Sequence, residues 1–320
     1  MKNVLCASFP EYDWTKNIIG DNPGKLNLQL LNRTGADMHS YQPTIADMVK
    51  IANCDLLIYN GGASQFWIAD ALDAYPNPHR QVLSLMQLFE TQPDRFPAYT
   101  QDDEHDHVDH IHNHSEHDDH DAHDHDAHEH EDETDEHLWL SLKMTREFCL
   151  AAASQLSTLN PAAAAAYQTN ASAYIQKLDA LDRKFTELTQ QTACKTLLFA
   201  DRFPFKYFCD DYGLAHEAAF PGCSAETGAS FETVVFLSNK VKELNLSAPL
   251  VTESSDGRMA KTVAENAGNE QMPVLTLNSM QSVSAEQAKT LTYLSVMTEN
   301  LTVLQQALSE GGTQDAPNRM

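Results

Sequence analysis

Several things are missing from this 320-residue sequence. It has no run of 18 or more apolar residues, so nothing in it reads as a bilayer-spanning segment. None of its six cysteines forms a C-x-x-C pair, which argues against a zinc ribbon or a thioredoxin-type redox site. Neither H-E-x-x-H nor G-x-S-x-G occurs, so the helical zinc-hydrolase and nucleophile-elbow signatures are lacking. Ahead of the first strand there is no charged n-region followed by an apolar h-region. Basic residues are scarce: 21 Lys and Arg stand against 46 Asp and Glu, for a formal net charge of -25. The lack of a basic patch argues against nucleic acid and anionic membrane surfaces as partners.

The charge is concentrated in one place. Residues 102–136 hold 17 acids and 11 histidines with no Lys or Arg. The remainder has 29 acids against 21 bases and is an ordinary, mildly acidic chain. The stretch has no periodicity and almost no apolar residues, so burial cannot offset the entropy of ordering it. It reads as a disordered His/Asp-rich loop over about residues 101–136, or as one that orders only with metal.

On either side, the pattern is α/β. Strand-like runs at residues 3–8, 26–31 and 55–59 alternate with helical ones at 15–19 and 43–52, which predicts a parallel sheet with flanking helices. Residues 138–156 read as a helix, and Asn160-Pro161 marks the start of another, with Asn as cap. From there to about residue 190, Tyr167, Tyr174, Leu178, Leu181, Phe185 and Leu188 form a single apolar stripe. A helix of about 29 residues measures roughly 43 Å, longer than one small domain, and reads as a rod between two lobes. Strand and helix signals then resume at 195–200, 231–244, 249–253, 259–267, 274–277 and 290–308. The fold expected is two α/β lobes with parallel sheets: residues 1–160, a connecting helix over 161–190, and residues 191–320.

Two histidines stand out. His39 lies on a loop between a strand and a helix, where open α/β sheets bind ligands. His137 closes the acidic stretch in D-E-H-L-W-L, where hydrophobic order begins and a side chain can be held in fixed geometry. His79 and His216 read as surface or packing residues.

With these motifs in view, the chain resembles the cluster A-I solute-binding proteins of bacterial zinc and manganese ABC importers, of the zinc-uptake type with a His-rich loop. The resemblance rests on A-S-F-P-E-Y-D-W, G-A-D-M-H-S-Y-Q-P-T around His39, A-N-C-D-L-L-I-Y-N-G-G, the His/Asp-rich loop, D-E-H-L-W-L around His137, and N-P-(x5)-Y-(x2)-N-A-(x2)-Y from Asn160. It implies two lobes joined by one rigid helix, with the metal in the cleft between them.

His39 and His137 match the family's first two histidine ligands. The second lobe departs from the pattern. Asp201, in D-R-F-P-F, stands where zinc binders place a third histidine, although Asp201-Arg202 also reads as a structural turn. Glu226, in G-C-S-A-E-T, stands close to the Glu of manganese-type members. Asp256 is a fallback ligand. Cys209 and Cys223 flank the proposed cleft segment, and an exported protein allows a disulfide between them. Two imidazoles with one or two carboxylates suit Zn²⁺, and the same set also serves Mn²⁺.

The resemblance implies an extracytoplasmic protein, periplasmic or a cell-surface lipoprotein, whose signal segment is absent from this sequence. It implies a monomer that captures Zn²⁺, or alternatively Mn²⁺, and hands it to a membrane ABC permease. The His-rich loop is expected to collect metal for the cleft. Two competing readings remain: a metal-storage protein acting through the loop alone, and a metallohydrolase with a zinc-bound water.

Overall fold

The computed structural model describes residues 1–21, 26–95, 135–220 and 230–309. Most of the His/Asp-rich stretch, together with Cys223 and Glu226, lies outside the described residues.

The first sheet has four parallel strands, β1 (Lys2–Cys6), β2 (Leu26–Leu30), β3 (Leu56–Tyr59) and β4 (Gln81–Ser84), in the order β2-β1-β3-β4. Helices α1 (Phe9–Ile19), α2 (Ile45–Asn53), α3 (Phe66–Ala74) and α4 (Leu85–Thr91) connect or follow these strands. The second sheet repeats the arrangement with β5 (Thr196–Arg202), β6 (Ala215–Phe220), β7 (Leu250–Val251) and β8 (Leu275–Thr276), ordered β6-β5-β7-β8 and also parallel. In each sheet the chain leaves the first strand to one side and later returns on the other. That leaves a crevice beyond the carboxyl ends of β1 and β3, and another beyond β5 and β7, the usual place for a ligand.

Two helices follow the first sheet, and the second of them joins the halves. Residues 138–156 were expected to form one helix. Instead a 3₁₀ turn (Leu138–Leu140) precedes α5 (Leu142–Leu159), because the Ser141 hydroxyl caps the Met144 N–H at 3.0 Å and restarts the helix there. The rod follows as α6 (Ala164–Gln191), 28 residues long. Its buried face is Tyr167, Ala171, Tyr174, Leu178, Leu181, Phe185 and Thr189, close to the stripe expected. Asn160 makes no side-chain cap; its amide donates to the Tyr167 hydroxyl at 3.0 Å. Helix α6 packs on α1 and α5 of the first half and on α7 (Lys206–Tyr212) and α10 (Tyr293–Ala307) of the second. One apolar cluster therefore runs without a break from Val4 to Leu308. Smaller clusters cover the outer face of each sheet, the second of them with α8 (Phe231–Glu243) and α9 (Arg258–Asn266).

Buried polar groups tie the lobes together. Asp13 on α1 accepts from the Tyr293 N–H at the start of α10 at 2.9 Å and from the Tyr174 hydroxyl of α6 at 3.4 Å. The Tyr293 hydroxyl donates to the Trp139 carbonyl at 2.7 Å. Cys209 is buried in α7 as a free thiol; Cys223, the partner considered for a disulfide with it, lies outside the described residues.

Glu11, in the first turn of α1, is fully buried beside the Ser8 hydroxyl that donates to it. Its other oxygen has no hydrogen-bond partner among the described residues. Burial pushes its carboxyl up to about 7. A raised value means its contribution to stability is complete below about pH 4.5 and is lost as pH rises through 7. Glu11→Gln removes that dependence. Denaturant unfolding at pH 5 and pH 8 should show the variant gaining on the wild type by on the order of 3 kcal/mol across that interval.

Candidate metal centre

His39 sits on the loop between β2 and α2. Its local structure is set by short polar side chains. Asn32 Nδ2 donates to the Ala36 carbonyl at 2.7 Å, and Asp37 Oδ1 accepts from the His39 N–H at 3.0 Å. The loop ends in a capping box, in which Thr44 and Asp47 satisfy each other's backbone N–H groups.

His137 immediately precedes the 3₁₀ turn Leu138–Leu140. It repeats the same device: Asp135 Oδ1 accepts from the His137 N–H at 2.8 Å. Both histidines thus stand in D-x-H, with the Asp two residues earlier holding the histidine backbone. Hydrophobic packing fixes the second one further. Trp139 is 1% exposed, and its ring centroid lies 5.1 Å from that of His137.

The two imidazoles meet. His39 Nε2 and His137 Nε2 are 3.2 Å apart, from residues 98 positions apart in the chain. Each ring has a carboxylate on its other nitrogen. Glu136 Oε1 lies 3.1 Å from His39 Nδ1, and Asp135 Oδ1 lies 2.9 Å from His137 Nδ1. A carboxylate accepts, so each Nδ1 carries the hydrogen, and both Nε2 lone pairs point into the same space. Two lone pairs at that distance repel unless a proton or a cation lies between them. Two nitrogens bound at 2.0–2.1 Å to a tetrahedral zinc lie about 3.3 Å apart. The pair therefore has the spacing of two ligands on one ion, and the carboxylates behind it match the outer-shell pattern that orients metal-binding imidazoles.

Both carboxylates are held ionised. Burial opposes the charge of Asp135, but the charge and hydrogen bonds of His137 outweigh it and keep the carboxyl below its ordinary value. For Glu136, burial is likewise outweighed, by the hydrogen bond and charge of His39. Glu136 is positioned by the first lobe, where its Oε2 accepts from the Ser64 N–H at 3.2 Å and its carbonyl from Asn60 Nδ2 at 2.8 Å. Gly62 makes room for it: a Cβ there would fall 2.2 Å from Glu136 Oε2, and its φ of +79° disfavours a side chain in any case.

Asp135→Asn and Glu136→Gln each leave a ring nitrogen against a weaker acceptor. Each should cost 10–100-fold in zinc affinity by chelator competition, the range typical of outer-shell partners.

The other candidate ligands are placed differently. Asp201, near the end of β5, accepts at Oδ2 from the Thr252 N–H at 2.9 Å and from the Thr252 hydroxyl at 2.6 Å, just past the end of the neighbouring strand β7. Asp256 pairs with Arg258 on an exposed turn. His216 stacks on Phe203 with ring centroids 3.8 Å apart, and burial holds its imidazole below its ordinary value. Glu226 lies outside the described residues. Among the described residues, no group of three or more His, Cys, Asp or Glu side chains forms a metal-holding cluster. The outer-shell role of Asp135 and Glu136 was missed because both count as members of the acidic stretch; the D-x-H shared by the two histidines was the available signal.

Comparison with known proteins agrees with this architecture. Residues 4–307 match the model of the family described as zinc-uptake complex component A, periplasmic. The zinc-binding lipoprotein AdcA of Streptococcus pneumoniae serotype 4 is 27% identical over 318 residues, covering 99% of this chain and 58% of the relative. The chain thus spans little more than half the length of that relative. The high-affinity zinc uptake system protein ZnuA of Bacillus subtilis is 26% identical over 307 residues, covering 96% of this chain and 87% of the relative. Among solved structures, the metal-dependent lipoprotein YcdH of Bacillus subtilis superposes with a TM-score of 0.72 at 22% identity, covering 96% of this chain and all of the other. The Zn(II)-bound ZnuA-like domain of Streptococcus pneumoniae AdcA gives 0.69 at 23% identity, covering 96% of this chain and 98% of the other. With two parallel sheets, a long helix between them and a match over nearly its whole length, the chain belongs to the zinc-uptake complex component A family.

Proposed function

We propose that this chain captures a divalent transition metal, Zn²⁺ first and Mn²⁺ as the alternative, outside the cytoplasm and delivers it to a membrane ABC permease. The observation that carries the reading is the pair of Nε2 atoms 3.2 Å apart, each imidazole backed by a carboxylate. Two neutral imidazoles suit Zn²⁺ as borderline ligands, and carboxylates complete the set for either ion. Glu226 is the carboxylate we assign to the second-lobe position, with Asp201 as the alternative from the end of β5. The relatives' names point the same way: they speak of zinc binding and zinc uptake. A site closed by four protein ligands leaves no open position for a reacting water, so this reading is of a binding component and not a hydrolase. No described helix is long and apolar enough to cross a membrane.

The His/Asp-rich stretch fits a collecting role. Its 11 histidines and 17 acids raise the local concentration of cations beside the cleft. Deleting residues 102–132 separates the two functions. High-affinity binding should persist in isothermal titration while the number of weakly held ions falls. If tight binding vanished with the stretch and His39→Ala left binding unchanged, the cleft reading would be wrong. Anomalous scattering at the zinc and manganese edges on crystals of the purified protein would identify the ion and its second-lobe ligands.

A further inference from the structure

Both histidines of the pair belong to the first lobe, but the loop carrying His39 is also held by the second. The Arg33 carbonyl accepts from the Ala285 N–H at 3.0 Å. Gly35 approaches the same segment so closely that an added Cβ would sit 2.9 Å from Ser284 N. The third contact is charged. Arg202, the last residue of β5, places Nη2 3.1 Å from Asp37 Oδ2 and 3.2 Å from Ser254 Oγ. Asp37 is the residue whose other oxygen holds the His39 N–H. An unbroken path therefore leads from the second sheet through a guanidinium and a carboxylate to the backbone of a histidine that faces the metal position.

We infer that Arg202 is a positioning residue for metal binding: from the second lobe it holds Asp37, and through Asp37 it keeps His39 aimed at His137. The inference rests on the metal-capture reading and adds a control to it, because metal affinity in the first lobe then depends on a residue of the second. The loop between β2 and α2 has no regular structure of its own, so ordering it has an entropic cost that metal binding must otherwise bear. Arginine suits the task, since its planar, permanently charged group reaches two acceptors at once. The sign of the effect separates positioning from simple charge. A cation close to a metal site repels the ion, so removing it on charge grounds alone should tighten binding. Loss of positioning should weaken it.

The test uses the full chain, with zinc affinity measured by chelator competition, dissociation rate by stopped flow, and the visible spectrum of the Co²⁺ form as a report on ligand geometry. Arg202→Gln and Asp37→Asn should each weaken zinc binding about tenfold, the lower end of the range for outer-shell partners, through faster dissociation. The Asn variant still accepts from the His39 N–H, so it removes only the ion pair. Because the two residues act as one unit, the double variant should bind no more weakly than either single one. Arg202→Lys should recover part of the affinity and of the Co²⁺ spectrum. Arg202 is 26% exposed in its side chain, so melting temperatures should change little. Unchanged or tighter binding in Arg202→Gln overturns the inference, and so do losses that multiply in the double variant. If the wild type shows no zinc binding that depends on His39 and His137, the capture reading itself fails, and this inference fails with it.

Discussion

Replacing His137 with alanine should lower zinc affinity by more than about 100-fold, beyond the loss expected for any outer-shell partner. The ring is nearly enclosed, with its side chain 3% exposed, and it supplies one of the two converging Nε2 atoms. Its removal leaves His39 as a single imidazole. His39→Ala should have a comparable effect, and the double variant should lose little more, because one remaining imidazole no longer forms a chelate. Competition against a chelator of known affinity measures all three. An alanine variant at either position that still binds within a few-fold of wild type would rule out the shared site. Acidification should release the metal by protonating the imidazoles. The carboxylate support outlasts that step. Asp135 and Glu136 are held below their ordinary values, so their contribution is present above about pH 4 and is lost only as pH falls further.

The largest effect on stability is expected at Trp139. Its side chain is 1% exposed at the junction of the lobes. Nε1 donates to the Ser279 carbonyl at 2.8 Å, and the residue's own carbonyl accepts from the Tyr293 hydroxyl. Trp139→Ala empties a large volume and leaves the Ser279 carbonyl without its donor, for a loss of about 3–5 kcal/mol. Zinc affinity should fall as well, since the indole packs against His137. Trp139→Phe keeps most of the packing and should lose only about 1–2 kcal/mol, chiefly the hydrogen bond. Urea unfolding of the metal-free protein provides the measurement, and an alanine variant within 1 kcal/mol of wild type would refute the bracing role.

The long elements were legible because their patterns extend over many turns. The stripe on α6 spans the whole helix, and the apolar runs of β1, β2 and β3 stand between clear turn signals. Short elements without such signals were not legible: α3, β4, α4, α7 and β6. A helix of two turns offers too few positions to reveal a period. Strand β6, A-H-E-A-A-F, contains no β-branched residue and is a strand because β5 presents it with an edge to pair with.

The site divides along the same line. His39 and His137 could be picked out by residue type and by their position beside ordered segments, and the acidic, histidine-rich stretch was evident from composition alone. Metal-binding character is a property of residue types, so the sequence determined it. That Glu136 orients His39 and not its neighbour His137 could not be read, because the pairing depends on Ser64 and Gly62 of the same lobe, distant in sequence, holding one carboxylate in place. Nor could the turn of Asp201 toward Thr252 and of Arg202 toward Asp37 be read, since adjacent residues of a strand face opposite ways and only packing shows what each meets. Which groups could bind a metal was decided by chemistry written in the chain. Which of them share one point in space, and which residues hold them there, was decided only when the two lobes closed on a common core.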